Sequence, residues 1–199
     1  VKRPDGEKTP EDPKLVEARK REEAAAKLFA DAEKDGFANN KSAAAAKYNS
    51  QIRFGEDVVN RINYARRPGG AEAMHRAVVE DIDALIDDLV RRAQIGRGDI
   101  QCVAAAGNTT MSHFLLGLET DLVRLSPFAP AAACPPPVRA AELGIRIHPR
   151  GILYTTPMVG SYVGGDITAG ILACGMHRAD ELALFLDIGT NGEVVLGNR

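Results

Sequence analysis

The sequence predicts an α/β fold with a charged helical segment at its N-terminus, on three observations. From Tyr48 onward, apolar strand-like runs alternate with helical periodicities. One stretch, Ala71 to Gln94, carries an apolar stripe at three- and four-residue steps. Near the end, two apolar runs flank a Gly-rich turn, the signature of a hairpin. The 199 residues, 45% hydrophobic and 26% charged, suffice for one ordinary domain with an appendage.

Residues 1–47 are a different material from the rest. They hold 11 basic and 10 acidic side chains, and Ala, Glu, Lys and Arg dominate from Pro13 to Lys34. Those residue types favour helix, and the scarcity of large apolar residues makes the helix a solvated linker or insertion. Residues 48–180 read as a first subdomain. A short helix is expected over Glu56 to Arg66, broken by Pro68-Gly69-Gly70. The long amphipathic helix follows, with Met74, Val78, Ile82, Leu85 and Leu89 on one face and Gly96 as its terminator. Arg97-Gly98-Asp99 matches an adhesion tripeptide by letter only. Ile100 to Ala106 reads as a buried strand, followed by Gly107-Asn108-Thr109-Thr110 and a helix to Leu116. Pro127 to Pro137 is an extended loop. Short strands are expected at Ile145 to Ile147 and Ile152 to Thr155, and a helix from Gly164-Gly165-Asp166 to Cys174. Residues 181–199 begin a second subdomain, with strands at Leu182 to Leu186 and Glu193 to Leu196.

Composition excludes several function classes. A formal net charge of −2 argues against nucleic acid and against a polybasic membrane anchor. No apolar stretch reaches bilayer length. Cys102, Cys134 and Cys174 are too sparse for a disulfide framework, a zinc site or an iron–sulfur loop, which points to a reduced, cytoplasmic protein. His75, His113, His148 and His177 have no metal-binding spacing and read as packing or surface residues.

Three turns could carry chemistry. In Leu184 to Leu196, a strand ends in Asp187 and turns back through Gly189, Thr190, Asn191 and Gly192. Glycines let a backbone approach a phosphate, turn N–H groups can form an anion nest, and the carboxylate can hold Mg²⁺. An ordinary hairpin satisfies the same letters. Asn108 or Thr109 at the strand-to-helix junction could cap the helix or leave N–H groups facing a phosphate. Asp166 has the same duality: a helix cap, or a carboxylate that positions Mg²⁺ or water.

Together these pieces resemble the ATP-dependent reductive activators of corrinoid proteins, an iron–sulfur protein family. Their large C-terminal region is an ATPase of the acetate-and-sugar-kinase/heat-shock/actin (ASKHA) superfamily. The resemblance runs over Asn49-Ser50-Gln51-Ile52-Arg53-Phe54-Gly55-Glu56-Asp57-Val58, Gly107 to His113, Ser126-Pro127-Phe128, Val163 to Gly170 and Asp187 to Glu193, in that order. It implies an RNase H-like/actin-like ASKHA subdomain, a mixed sheet with flanking helices. It also implies an ATP clamp whose second phosphate-binding hairpin is Asp187 to Glu193. Asp187 would manage the Mg²⁺ of Mg-ATP, and Gly189, Thr190, Asn191 and Gly192 would cradle phosphate. Asp166 would orient water, and Asn108 and Thr109 would line the neighbouring strand end. The first hairpin, expected ahead of Gln51, is not found in residues 1–47, and the [2Fe–2S] centre is expected only in a domain outside this chain. The chain thus reads as an internal piece of a larger ATPase whose partner is a corrinoid methyl-carrier protein, returned from cobalt(II) to cobalt(I). A small-molecule kinase of the same superfamily and a catalytically silent interaction module remain alternatives.

Overall fold

The computed structural model describes residues 43–189 and 191–199. The helix expected over 13–34, and Thr190 in the hairpin turn, lie outside the described residues. Two compact units are present. One is built from Asn49–Asp83 and Gly96–Arg199; the other takes in residues 43–48 and Ala84–Ile95. In the second unit, Arg92 donates to the Ala44 carbonyl at 2.8 Å.

Helix α1 spans Val58–Ala65 and helix α2 Gly70–Ala93. Asp57 starts α1, because its Oδ1 accepts the Asn60 N–H at 2.8 Å and so satisfies an orphan donor of the first turn. Gly69, at φ 73°, makes the left-handed turn between the helices that a side chain would strain. Helix α2 stops where Gln94 takes a left-handed φ of 54°, two residues before the expected Gly96. The Arg97-Gly98-Asp99 tripeptide forms a single 3₁₀ turn whose charged ends bond within the protein.

Strands β1 (Cys102–Ala105), β2 (Val138–Arg139) and β3 (Ile152–Thr155) form a mixed sheet in the order β1-β3-β2. Strands β1 and β3 run parallel, with Cys102 opposite Ile152 and Ala105 opposite Thr155. Helix α3 (Thr109–Leu116) leaves the end of β1, and helix α4 (Gly165–Cys174) follows β3. Strands β4 (Ala183–Ile188) and β5 (Gly192–Gly197) make an antiparallel hairpin.

One expected strand does not form. At Ile145 to Ile147 the backbone donors are committed elsewhere: Ile145 N–H bonds the Ala140 carbonyl and Arg146 N–H bonds Asp83. Ile145 instead buries its side chain to 1% exposure. The third strand is Val138–Arg139, just past the Pro-rich loop. A core of Ile62, Met74, Phe114 and Val123 ties α1, α2 and α3 together, while Leu153 of β3 and Ile167 of α4 are also fully buried. Among the described residues no helix is long and apolar enough to cross a membrane.

Candidate functional site

The glycines that open α4 bring two helix N-termini together. A Cβ on Gly164 would lie 2.5 Å from Asn108 Cα and 2.8 Å from Thr109 N, so only hydrogen fits between the starts of α3 and α4. Gly165 packs as tightly on Thr156, whose hydroxyl donates to the Gly165 carbonyl at 2.8 Å. The Asp166 N–H donates to the Gly107 carbonyl at 3.1 Å and completes the joint.

Asn108 is the N-cap of α3; its Oδ1 accepts the Met111 N–H at 2.9 Å. Thr109 and Thr110, ahead of Met111, have no carbonyl four residues back within the helix for their N–H groups. Thr109 is fully buried, and its hydroxyl donates to the Gly160 carbonyl at 2.5 Å. Asp166 does not occupy the N-cap of α4. Gly164 does, and Asp166 sits two residues on, its Oδ1 accepting the Ile167 N–H at 2.9 Å. A carboxylate there complements the positive end of the helix.

A cleft of ≈ 880 Å³ opens beside this joint. Its apolar floor includes Ile62, Val123 and Ile167, and its polar groups come from four directions. Asp57 stands at the start of α1, Asn108 at the start of α3, Arg124 after the 3₁₀ turn Asp121–Val123, and Asn191, Gly192 and Glu193 on the hairpin. A volume of that order accommodates a nucleotide-sized ligand.

The structure therefore brings together three of the residues singled out by sequence: Asn108, Asn191 and Gly192. Thr109, Asp166, Asp187 and Gly189 are not among the lining residues. Asp187 is nevertheless paired directly with Glu193 across the hairpin, so the two carboxylates share one face of the ribbon. The Gly189 N–H donates to the Asn191 carbonyl at 2.9 Å and closes the turn. Sequence reasoning missed Asp57, Arg124 and Glu193 as cleft residues. Asp57 and Glu193 fall inside the stretches that carry the family resemblance, whereas Arg124 has no local signal.

The four histidines do not converge. His113 is fully buried: its Nδ1 lies 2.7 Å from the Thr109 carbonyl, and its Nε2 accepts the Ala132 N–H at 3.4 Å. A carbonyl partner requires Nδ1 to carry the proton, and an Nε2 that accepts leaves the ring neutral. Burial holds its pKa below the usual value, against the bond to Thr109, which raises it. Among the described residues no three His, Cys, Asp or Glu side chains gather as a metal-binding group, and the three cysteines are exposed at separate places.

Residues 36–179 match the family described as the RACo middle region; the matched stretch ends before β4. The chain is 35% identical over 153 residues to the corrinoid activation enzyme RamQ of Eubacterium limosum, covering 75% of this chain and 25% of that protein. Among solved structures it is similar to a reductive activator for a corrinoid, iron–sulfur protein, with a TM-score of 0.74 and 47% identity over 76% of this chain and 24% of the other. The chain thus spans about a quarter of the length of these two relatives.

Proposed function

The chain belongs to the RACo middle region family, and from that membership and the cleft we propose that it is part of an ATP-dependent reductive activator. The intact protein would return an oxidised corrinoid protein from cobalt(II) to cobalt(I), with this region holding the phosphate end of Mg-ATP. The observation that carries the proposal is the meeting of the hairpin with the α3 start: Asn191, Gly192 and Glu193 share one hollow with Asn108. The mixed sheet with helices between its strands supports membership of the ASKHA superfamily, in which such a hairpin forms one jaw of the clamp.

The residues present suit Mg²⁺. That ion keeps several waters and takes one or two carboxylates along with substrate phosphates. Asp187 and Glu193 lie opposite each other in register, and like charges so placed are unfavourable unless a cation lies near them. Bound there, Mg²⁺ would offset charge on the phosphate oxygens. Asn191 and Asn108 would position the tail from the two sides, and the apolar floor would exclude water. Closure of the cleft on nucleotide is a two-state event whose work on a partner is limited to the difference in affinity between the states. The three separated cysteines do not suit a [2Fe–2S] cluster, which takes four clustered ligands, so no electron-transfer step is assigned to these residues.

The test is calorimetric titration of Mg-ATP into the chain and into two variants. Wild type binds, Asp187→Ala loses most of the Mg²⁺ dependence, and Asp166→Ala loses less. Asp187→Ala binding Mg-ATP as wild type does would remove the metal assignment. No binding by wild type at millimolar nucleotide would leave the chain an interaction module.

A further inference from the structure

We propose that Arg124 is a phosphate ligand of the cleft, the cationic group that meets the nucleotide tail from the wall formed after the 3₁₀ turn Asp121–Val123. The proposal rests on the nucleotide reading of the cleft and goes beyond it, because no part of the hairpin or of the α3 start supplies a cationic side chain. Two observations carry it. Arg124 lines the cleft, and among the described lining residues it is the one Arg or Lys, against the carboxylates of Asp57 and Glu193. Its Nε is buried and has no hydrogen-bond partner among the described residues, which is unusual for a buried donor.

The chemistry of a suitable acceptor follows from the donor. A guanidinium presents a planar fork of N–H groups that fits the paired oxygens of a phosphate. A carbonyl ligand would engage one N–H and leave the charge unmatched. A phosphate tail lying between Arg124 and the Asn191–Gly192 turn would engage both walls of the cleft at once, so Arg124 would report whether the tail is seated.

The experiment is calorimetric titration of the 199-residue chain with Mg-ATP and with magnesium tripolyphosphate, which is the tail without a nucleoside. Wild type is compared with Arg124→Met, which keeps the apolar stem, and Arg124→Lys, which keeps the charge. Thermal unfolding checks each fold, and Arg124→Gln replaces the Met variant if that chain is unfolded. The expected result is at least a tenfold loss of affinity for both probes in Arg124→Met, partly recovered in Arg124→Lys. Affinity equal to wild type in Arg124→Met, or a Lys variant no tighter than the Met variant, overturns the role of Arg124 and leaves the cleft reading standing. If wild type binds neither probe, the nucleotide reading falls and takes this proposal with it.

Discussion

Replacing Asp83 with Ala should destabilise the unit that carries the cleft by about 2–3 kcal/mol. Asp83 lies on α2 and is 7% exposed. Its Oδ1 accepts from Arg97 Nη1 at 3.1 Å and from the Arg146 N–H at 3.0 Å, and its Oδ2 accepts from Arg146 Nε at 2.6 Å. One carboxylate therefore clips α2 to the segment before β1 and to the segment before β3. Burial alone would raise its pKa, but the bonds from Arg146 and Arg97 outweigh that and hold it below 3.8. Removing one partner of a fully buried pair costs about 3–5 kcal/mol, because a charge is left bare. Here the cost is smaller for two reasons. Arg146 is 70% exposed, so its charge is already largely solvated. Arg97 keeps the carbonyls of Asp83 and Arg146, at 2.8 and 2.6 Å. Urea unfolding should show a lower midpoint at unchanged slope, and the melting temperature should fall by roughly 5–10 °C for a chain of this size. Asp83→Asn keeps an acceptor and should lose about half as much. A midpoint within error of wild type for Asp83→Ala would refute the clip and reduce the network to a surface ion pair.

Two further outcomes follow from the same geometry. Gly164→Ala places a methyl against the backbone of Asn108 and Thr109, which cannot rotate away, so it should cost about 1–3 kcal/mol and weaken Mg-ATP binding with it; an unchanged melting temperature would show that the two helix starts can separate freely. His113 is buried neutral with a pKa held below 6.5, so the unfolded chain binds its proton first as pH falls. Its stabilising contribution is full above pH 6.5 and is lost as pH drops below that towards the folded value; Asp83 adds a second loss below 3.8. Urea midpoints across pH 5–8 should fall on the acid side in wild type and flatten in His113→Gln, and an equal slope in both would assign the loss to other groups.

Local features of the fold were legible because their causes are local. Asn108 is an N-cap with the residue type and backbone that a cap requires, and the bounds of α1, α2 and α3 fall within two residues of the expected ones. The hairpin was legible from two apolar runs around a Gly-rich turn, but its register, with Asp187 opposite Glu193, was not, because the strands run past the expected ends. Strand β2 was not legible. Two residues after a run of prolines have no periodicity, and their strand character comes from pairing with β3. The Ile145 segment misled for the converse reason, because its alternation reports burial while Asp83 and Ala140 take its backbone donors. Arg124 stands in a stretch with no glycine and no motif. What marks it is an unpaired Nε created by tertiary packing, and no single-sequence pattern encodes that.

The charge arrangement also narrows what the cleft can take. A bare polyanion would face Asp57 and Glu193 with Arg124 as the single opposing Arg or Lys among the described lining residues. A bare divalent cation would find those carboxylates but would also meet a guanidinium whose Nε lacks an acceptor among the described residues. Both mismatches disappear for a ligand that carries its own cation on one side and free phosphate oxygens on the other. The carboxylates then face metal, and the guanidinium faces oxygen. The glycine pair at 164–165 gives the site its rigidity: by letting the α3 and α4 starts touch, it fixes Asn108 relative to the cleft floor at Ile167. The metal–phosphate ligand proposed above would meet both signs of charge in the cleft, with Glu193 toward the metal, Arg124 toward phosphate and Asn108 beside them.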